Sequence, residues 1–187
     1  MGRDLFEAYP AARNLNERAD AILARPISRL CFEGPDSELS KTFNCQPAIY
    51  VTSLACLEAA RAFGAVSGDP AFVAGHSLGE YTALTAAGAL DFEAGLRLVE
   101  TRGRLTQAAA DTTPGAMAAI LGLDEASAEA VCRDAGAELC NINSPGQIVI
   151  GGTNDAVARA CALAVERGAK RAISLDVGGA FHTSLMQ

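Results

Sequence analysis

A serine can act as a nucleophile at neutral pH only if its hydroxyl is held clear of its neighbours, a base takes its proton, and donors await the oxyanion it creates. Ser77 stands in Gly75-His76-Ser77-Leu78-Gly79, a G-x-S-x-G. The short apolar run Ala71, Phe72, Val73, Ala74 precedes it, and a helix-compatible pattern follows it. That order predicts a strand, a sharp turn and a helix. At such an elbow the serine backbone is strained, and the two glycines remove side chains that would strike the neighbouring elements. The amide of Leu78, at the start of the helix and at the positive end of its dipole, is the expected oxyanion donor. Two histidines are available as the base, His76 and His182. His76 is next to Ser77 on the turn, where its ring is badly placed to reach back, so His182 is the better candidate.

A second chemical signal is a cation in an apolar setting. From Phe92 to about Ala110 the pattern is helical, with Asp91 as its cap. Projected at about 100° per residue, Phe92, Leu96, Leu98, Val99, Leu105 and Ala109 form an apolar arc. Arg102 falls within that arc. A guanidinium keeps its proton, so there it must meet an anion or a set of acceptors. The projection leaves open whether the partner belongs to the fold or to a substrate. Gly103 beside it would let another backbone approach.

The elements that must position these residues follow from the rest of the chain. Asp4 to Ala24 reads as a short helix and a longer one opening at Pro10 or Ala11, mostly solvated. Asp36 or Ser37 caps a short helix carrying Leu39 and Phe43 inward. Pro47 opens a helix to Phe63, apolar around most of its circumference and therefore buried, with Gly64 as its stop. The helix after Ser77 runs to about Ala87 and closes at Gly88. Beyond the linker-like Asp111-Thr112-Thr113-Pro114-Gly115 the rhythm changes. Met117–Leu121 reads as a strand, Asp124 caps a helix, and Leu139–Asn143 and Gln147–Ile150 are strands joined by a Ser144-Pro145-Gly146 turn. Asn154 caps a helix to about Arg167, and Arg171–Val177 is a fourth strand. This β-α-β-β-α-β order is that of the ferredoxin-like split motif. The expected organisation is an α/β core over 1–112 and 178–187 with a small subdomain inserted at 113–177.

Composition narrows the function classes. The net charge of -7 is spread along 187 residues without a basic block, which argues against nucleic-acid binding. No apolar run is long enough to cross a bilayer, and the first residues lack a secretory core, so a cytoplasmic protein is expected. Six cysteines without a C-x-x-C pair read as small buried hydrophobes in a reducing compartment. With two histidines and no clustered thiols, neither a metal site nor a cofactor is expected.

Four segments together, GHSLGEYTAL, ETRGRL, NSPGQIVIGG and GAFHTSLM, with CQPAIY before them, resemble in order and spacing the malonyl-CoA:acyl-carrier-protein transacylases and the acyltransferase domains of fatty-acid and polyketide synthases. The resemblance covers nearly the whole chain. It implies a hydrolase-like parallel-sheet core with a ferredoxin-like insert. It implies that Ser77 accepts the acyl group, that His182 is its base, oriented by backbone acceptors rather than by an acidic residue, and that Arg102 pairs with the free malonyl carboxylate. His76 and Asn143 are candidates to line the same pocket. The Ala180-Phe181-His182 sequence goes, in related domains, with malonyl rather than methylmalonyl. The implied substrates and partners are malonyl-CoA and acyl carrier protein, in a ping-pong exchange.

The family pattern also begins with a strand and a Gly-Gln-Gly-Ser-Gln-type loop, whose glutamine amide is a second oxyanion donor, and continues through further α/β structure. Neither is found in this sequence, so the expectation is a chain truncated at both ends, weakly stable and close to inactive alone. The competing readings are a thioesterase or esterase using the same serine, and an inactive fragment.

Overall fold

Pro47 lies inside a helix rather than at its start. The computed structural model describes residues 1–187, and in it the buried helix spans Thr42–Ala62. A proline in a helix removes an N–H and strands the carbonyl four residues earlier. Here that carbonyl, on Phe43, accepts from Arg25 Nη2 at 2.9 Å, while Arg25 Nη1 donates to Asn44 Oδ1. The helix can therefore begin five residues before the proline, because a side chain from elsewhere supplies the missing donor.

Two units divide the chain, Met1–Leu105 and Thr106–Gln187. The first is helical. Its elements are α1 (Arg3–Ala8), α2 (Pro10–Leu23), α3 (Ile27–Glu33), α4 (Asp36–Leu39), α5 (Thr42–Ala62), α6 (Gly79–Ala86) and the first two-thirds of α7 (Phe92–Thr112). Pro10 is the first residue of α2, where its absent N–H costs nothing. Neither Asp36 nor Ser37 caps α4; Pro35 precedes it without a side-chain cap. Ala48, Tyr50, Val51 and Leu54 of α5 pack with Ala19 and Leu23 of α2, Ile27 and Cys31 of α3, Leu78, and Phe92, Leu96 and Val99 of α7 in one core. The Tyr50 ring stacks on Phe92 at 5.8 Å, and its hydroxyl lies 2.8 Å from Thr85 Oγ1.

Helix α7 approaches α5 through its glycines. A Cβ on Gly95 would stand 2.2 Å from Tyr50 Oη, and one on Gly103 would stand 2.6 Å from the Thr42 carbonyl oxygen. The close approach expected at Gly103 is thus present, and Thr42 Oγ1 donates to the Gly103 carbonyl at 2.7 Å. The buried face of α7 runs through Phe92, Leu96 and Val99 to Gly103. Leu98 and Leu105, expected in the apolar arc, are exposed. The arc drawn from hydropathy alone was too wide. Asp91 Oδ1 does cap α7, accepting from Ala94 N at 2.9 Å.

The run Ala71–Ala74 forms no strand, and Phe72 is 94% exposed. A strand is stabilised by ladder bonds to a neighbour. No strand occurs anywhere in Met1–Leu105 to supply one.

The second unit is built as β1 (Ala116–Leu121), α8 (Glu125–Ala135), β2 (Glu138–Ser144), β3 (Gln147–Gly152), α9 (Asn154–Glu166) and β4 (Arg171–Ser174), followed by a 3-10 turn at Ser184–Met186. The sheet order is β2-β3-β1-β4 and every neighbouring pair is antiparallel. Pro145 and Gly146 turn the β2–β3 hairpin, with Gly146 at φ 75. Register shifts leave Cys140 and Asn143 as the extra residues on β2. Alanine-rich faces of α8 and α9 pack with Ala118, Ile120, Ile148 and Ile150. Asp124 caps α8, accepting from Ser127 N. The cap of α9 is Thr153, not Asn154: the Thr153 hydroxyl accepts from Ala156 N, which makes Asn154 the first helical residue. All six cysteines are free, and Cys56, expected inside, is exposed. No helix is long and apolar enough to cross a membrane.

Candidate active site

Ser77 is one of three non-glycine residues with positive φ, at 53°. A β-carbon imposes a cost on that conformation, which persists only where the surroundings enforce it. Here the enforcement is a backbone crossing: a Cβ on Gly75 would lie 2.0 Å from both the carbonyl carbon and oxygen of Gly79. At Gly79 itself a Cβ would meet nothing within 4 Å. Of the two glycines, only Gly75 is required for lack of room, and Gly79 provides the backbone it must clear. The turn then enters α6 through successive bonds, Gly79 N to His76 O at 2.8 Å, Glu80 N to Ser77 O at 3.2 Å and Tyr81 N to Leu78 O at 3.1 Å. Leu78, with αR angles immediately before α6, buries its side chain in the core and so anchors the turn from below.

Arg102 reaches this turn from α7. Its Nη2 donates to Ser77 Oγ at 2.9 Å, and its Nη1 donates to Gln46 Oε1 on α5 at 2.6 Å. Both acceptors are neutral oxygens. A cation bonded to the serine oxygen favours negative charge developing there and turns the hydroxyl's own proton away from the guanidinium. Gln46 is the residue that the sequence did not single out. Its one signal was its place in CQPAIY, to which no role attached.

His76 is exposed on the turn. Asn143 and His182 are on the second unit. Asn143 is exposed at the bulge before the hairpin. His182 is exposed with φ 62, in a loop bonded on both sides of it. Thr183 Oγ1 donates to Ala180 O at 2.6 Å and accepts from Leu185 N at 3.3 Å. Ser184 donates both its N–H, at 3.0 Å, and its hydroxyl to the Glu138 carboxylate at the start of β2. Glu138 is a second residue without a sequence signal, since the contact spans 46 positions.

The thiols of this unit do not compete as nucleophiles. Burial pushes the Cys132 thiol up to about 11, with Glu129 and Glu138 adding to it, and the Cys140 thiol up to about 12, with Cys132 and Glu138 adding to it. Both stay protonated at neutral pH and hence weakly nucleophilic.

The family model described as "Acyl transferase domain" matches residues 1–187. The malonyl CoA-acyl carrier protein transacylase of Bacillus subtilis (strain 168) is 47% identical over 192 residues, which cover 100% of this chain and 60% of that protein. A solved malonyl-transacylase in complex with its type II PKS acyl-carrier protein superposes with a TM-score of 0.93 at 40% identity, covering 100% of this chain and 61% of that one. The acyl-carrier-protein s-malonyltransferase of Burkholderia pseudomallei 1710b superposes at 0.91 with 42% identity, over 98% of this chain and 60% of that one. The chain therefore spans about 60% of the length of these relatives. A strained serine elbow bonded by an arginine, inside a sequence that matches one family model from its first residue to its last, places this chain in the acyl transferase domain family.

Proposed function

We propose that the chain serves a malonyl transfer from malonyl-CoA to the phosphopantetheine thiol of acyl carrier protein, through an ester on Ser77. The observation that carries the reading is the 2.9 Å bond from Arg102 Nη2 to Ser77 Oγ at a positive-φ elbow. It puts a permanent cation beside the acyl-accepting oxygen, where the free carboxylate of a malonyl ester would lie within reach. The names of the relatives, malonyl CoA-acyl carrier protein transacylase and a malonyl-transacylase complexed with an acyl-carrier protein, support the same donor and acceptor.

In this mechanism Ser77 Oγ attacks the thioester carbonyl while His182 accepts the hydroxyl proton. The Leu78 N–H donates to the oxyanion. The C–S bond breaks, coenzyme A leaves with a proton from His182, and a malonyl ester remains. The carrier thiol then attacks that ester, its proton passing to His182 and on to the departing Ser77 oxygen. Arg102 holds the malonyl carboxylate by charge-assisted bonds, worth about 1.5–3 kcal/mol, or one to two decades in selectivity over acetyl. His76 and Asn143 line the acyl pocket in this reading.

The corresponding architecture is a hydrolase-like core over 1–112 and 178–187 with a ferredoxin-like subdomain at 113–177. The β-α-β-β-α-β order and the antiparallel β2-β3-β1-β4 sheet support the subdomain part of it. A cytoplasmic setting is supported by six free cysteines.

The test is intact-mass and peptide analysis after malonyl-CoA is mixed with whichever chain length is active. A malonyl adduct on Ser77 that moves to holo acyl carrier protein is expected. An adduct that persists in Ser77→Ala, or release of free malonate in place of transfer, overturns the proposal.

A further inference from the structure

We infer that Glu138 is a positioning residue for the base: its carboxylate, at the first position of β2, holds Ser184 and through it the backbone conformation of His182. The inference rests on the transacylase reading, in which His182 accepts the serine proton.

His182 needs an anchor. At φ 62° it is, with Ser77 and Ala24, one of three non-glycine residues in the left-handed region, a conformation that persists only where its surroundings impose it. Both flanks do so, and both lie in the second unit. Before His182, Ala180 is fully buried over Gly115, where a Cβ would stand 2.7 Å from the Ala180 Cβ and 3.2 Å from Leu185 Cδ1. After it, Thr183 is buried over Gly151, where a Cβ would stand 2.9 Å from Thr183 Cγ2 and 2.8 Å from Cys140 Sγ. Gly151 is the direct cross-strand partner of Glu138. Residues directly opposite each other point to the same face of a sheet, so Glu138 and the bare backbone of Gly151 share one face of the β2–β3 pair. Thr183 and Ser184 rest on that face.

The contact at Ser184 differs in kind from the packing around it. Glu138 accepts both the Ser184 N–H, at 3.0 Å, and the Ser184 hydroxyl, so one carboxylate fixes the backbone and the side chain of the same residue. Bonds to a charged acceptor are roughly twice as strong as neutral ones. Close contact at Gly115 and Gly151 sets how deep the loop lies. The paired bonds set its direction, and a peptide turned at Ser184 would release the left-handed conformation of His182.

Glu138→Ala removes both bonds, Glu138→Gln keeps an uncharged acceptor oxygen, and Ser184→Ala removes the hydroxyl bond alone. The measurement is kcat and KM for malonyl transfer by whichever chain length is active, with a thermal melt and the His182 ring signals in a ¹H–¹³C spectrum of each variant. Glu138→Ala is expected to lower kcat about tenfold, within the 10²–10⁴ that a placed general base contributes, with the malonyl-CoA KM unchanged. It should move the His182 signals and leave those of His76. Glu138→Gln should recover most of the loss, and Ser184→Ala should cost a few-fold. A wild-type kcat, or His182 signals that do not move, in a folded Glu138→Ala chain assigns the carboxylate to stability and overturns the inference. If Glu138→Ala does not fold, the same two readings on Ser184→Ala decide. A His182→Ala chain that transfers malonyl at the wild-type rate overturns the base assignment and this inference with it. An inactive His182→Ala chain beside a fully active Glu138→Ala chain overturns the inference alone.

Discussion

The serine and the histidine are held by opposite means. Around Ser77 the constraint is steric and backbone-borne: a positive φ, a Gly75 with no room for a methyl group, and a buried Leu78 under the turn. Around His182 it is polar and exposed, a serine and a threonine tying the loop to a carbonyl and to the Glu138 carboxylate. The nucleophile proposed here, Ser77, must be placed to within a fraction of an ångström, and close packing does that best. The base proposed here, His182, must turn and exchange protons, and side-chain hydrogen bonds near water leave it that freedom. The same contrast appears in Arg102, which joins the serine side through two bonds reaching across helices.

Five outcomes would break or sharpen this contrast, the largest first. Ser77→Ala should end acylation by malonyl-CoA outright, read by intact mass, while the melt stays near wild type because the half-buried hydroxyl carries little packing. Gly75→Ala should be nearly as damaging for a different reason: a methyl group 2.0 Å from the Gly79 backbone forces the elbow open. Overpacking typically costs about 1–3 kcal/mol, so both the melt and Ser77 labelling should fall. A Gly75→Ala chain that keeps full labelling would show that the elbow is not sterically set.

Arg102→Ala should follow, with the malonyl-to-acetyl ratio reduced about ten- to hundredfold, since one charge-assisted pair is lost. Retention of the wild-type ratio would remove Arg102 from acyl selection. Glu138→Gln probes the polar side and should act more weakly, lowering turnover by a few-fold and changing the His182 ring signals in a ¹H–¹³C spectrum, with those of His76 unmoved. Unchanged His182 signals would mean that the carboxylate does not order the loop.

The smallest expected effect is a dependence of stability on alkaline pH. The folded thiols of Cys132 and Cys140 sit at about 11 and about 12, above the 9.0 of an unperturbed thiol. Between those values the unfolded chain has released protons that the folded chain keeps, so the stability present below pH 9 is lost as pH rises through the folded values. Melts from pH 8 to 11 should therefore decline, and a Cys132→Ala/Cys140→Ala double variant should decline less steeply. Equal slopes would show that these thiols are not shielded.

How much was legible beforehand depended on the range of the interaction involved. Within a few residues, sequence was a good guide: Asp91 and Asp124 were read as caps and are caps, Pro10 opens α2, and the Ser144-Pro145-Gly146 turn joins two strands. Each cap rests on a bond to a neighbour three positions away, and Pro10 on a position that needs no such bond. The reading failed where distant groups intervene. The Thr42 start of α5 needed Arg25, the exposed Leu98 and Leu105 needed knowledge of which faces find partners, and Ala71–Ala74 needed a neighbouring strand.

By itself the sequence determined the family, because the residues of GHSLGEYTAL, ETRGRL, NSPGQIVIGG and GAFHTSLM are identities that no folding can alter. It also determined the order of the β-α-β-β-α-β elements, since turn residues and hydrophobic period act locally. Only the tertiary structure decided which acceptors meet the Arg102 guanidinium. Gln46 and Ser77 stand 56 and 25 positions away from it, and their meeting depends on two helices packed close enough for a glycine to touch backbone. Hydrogen bonds are satisfied by distance in space, and hydropathy along the chain carries no record of that distance.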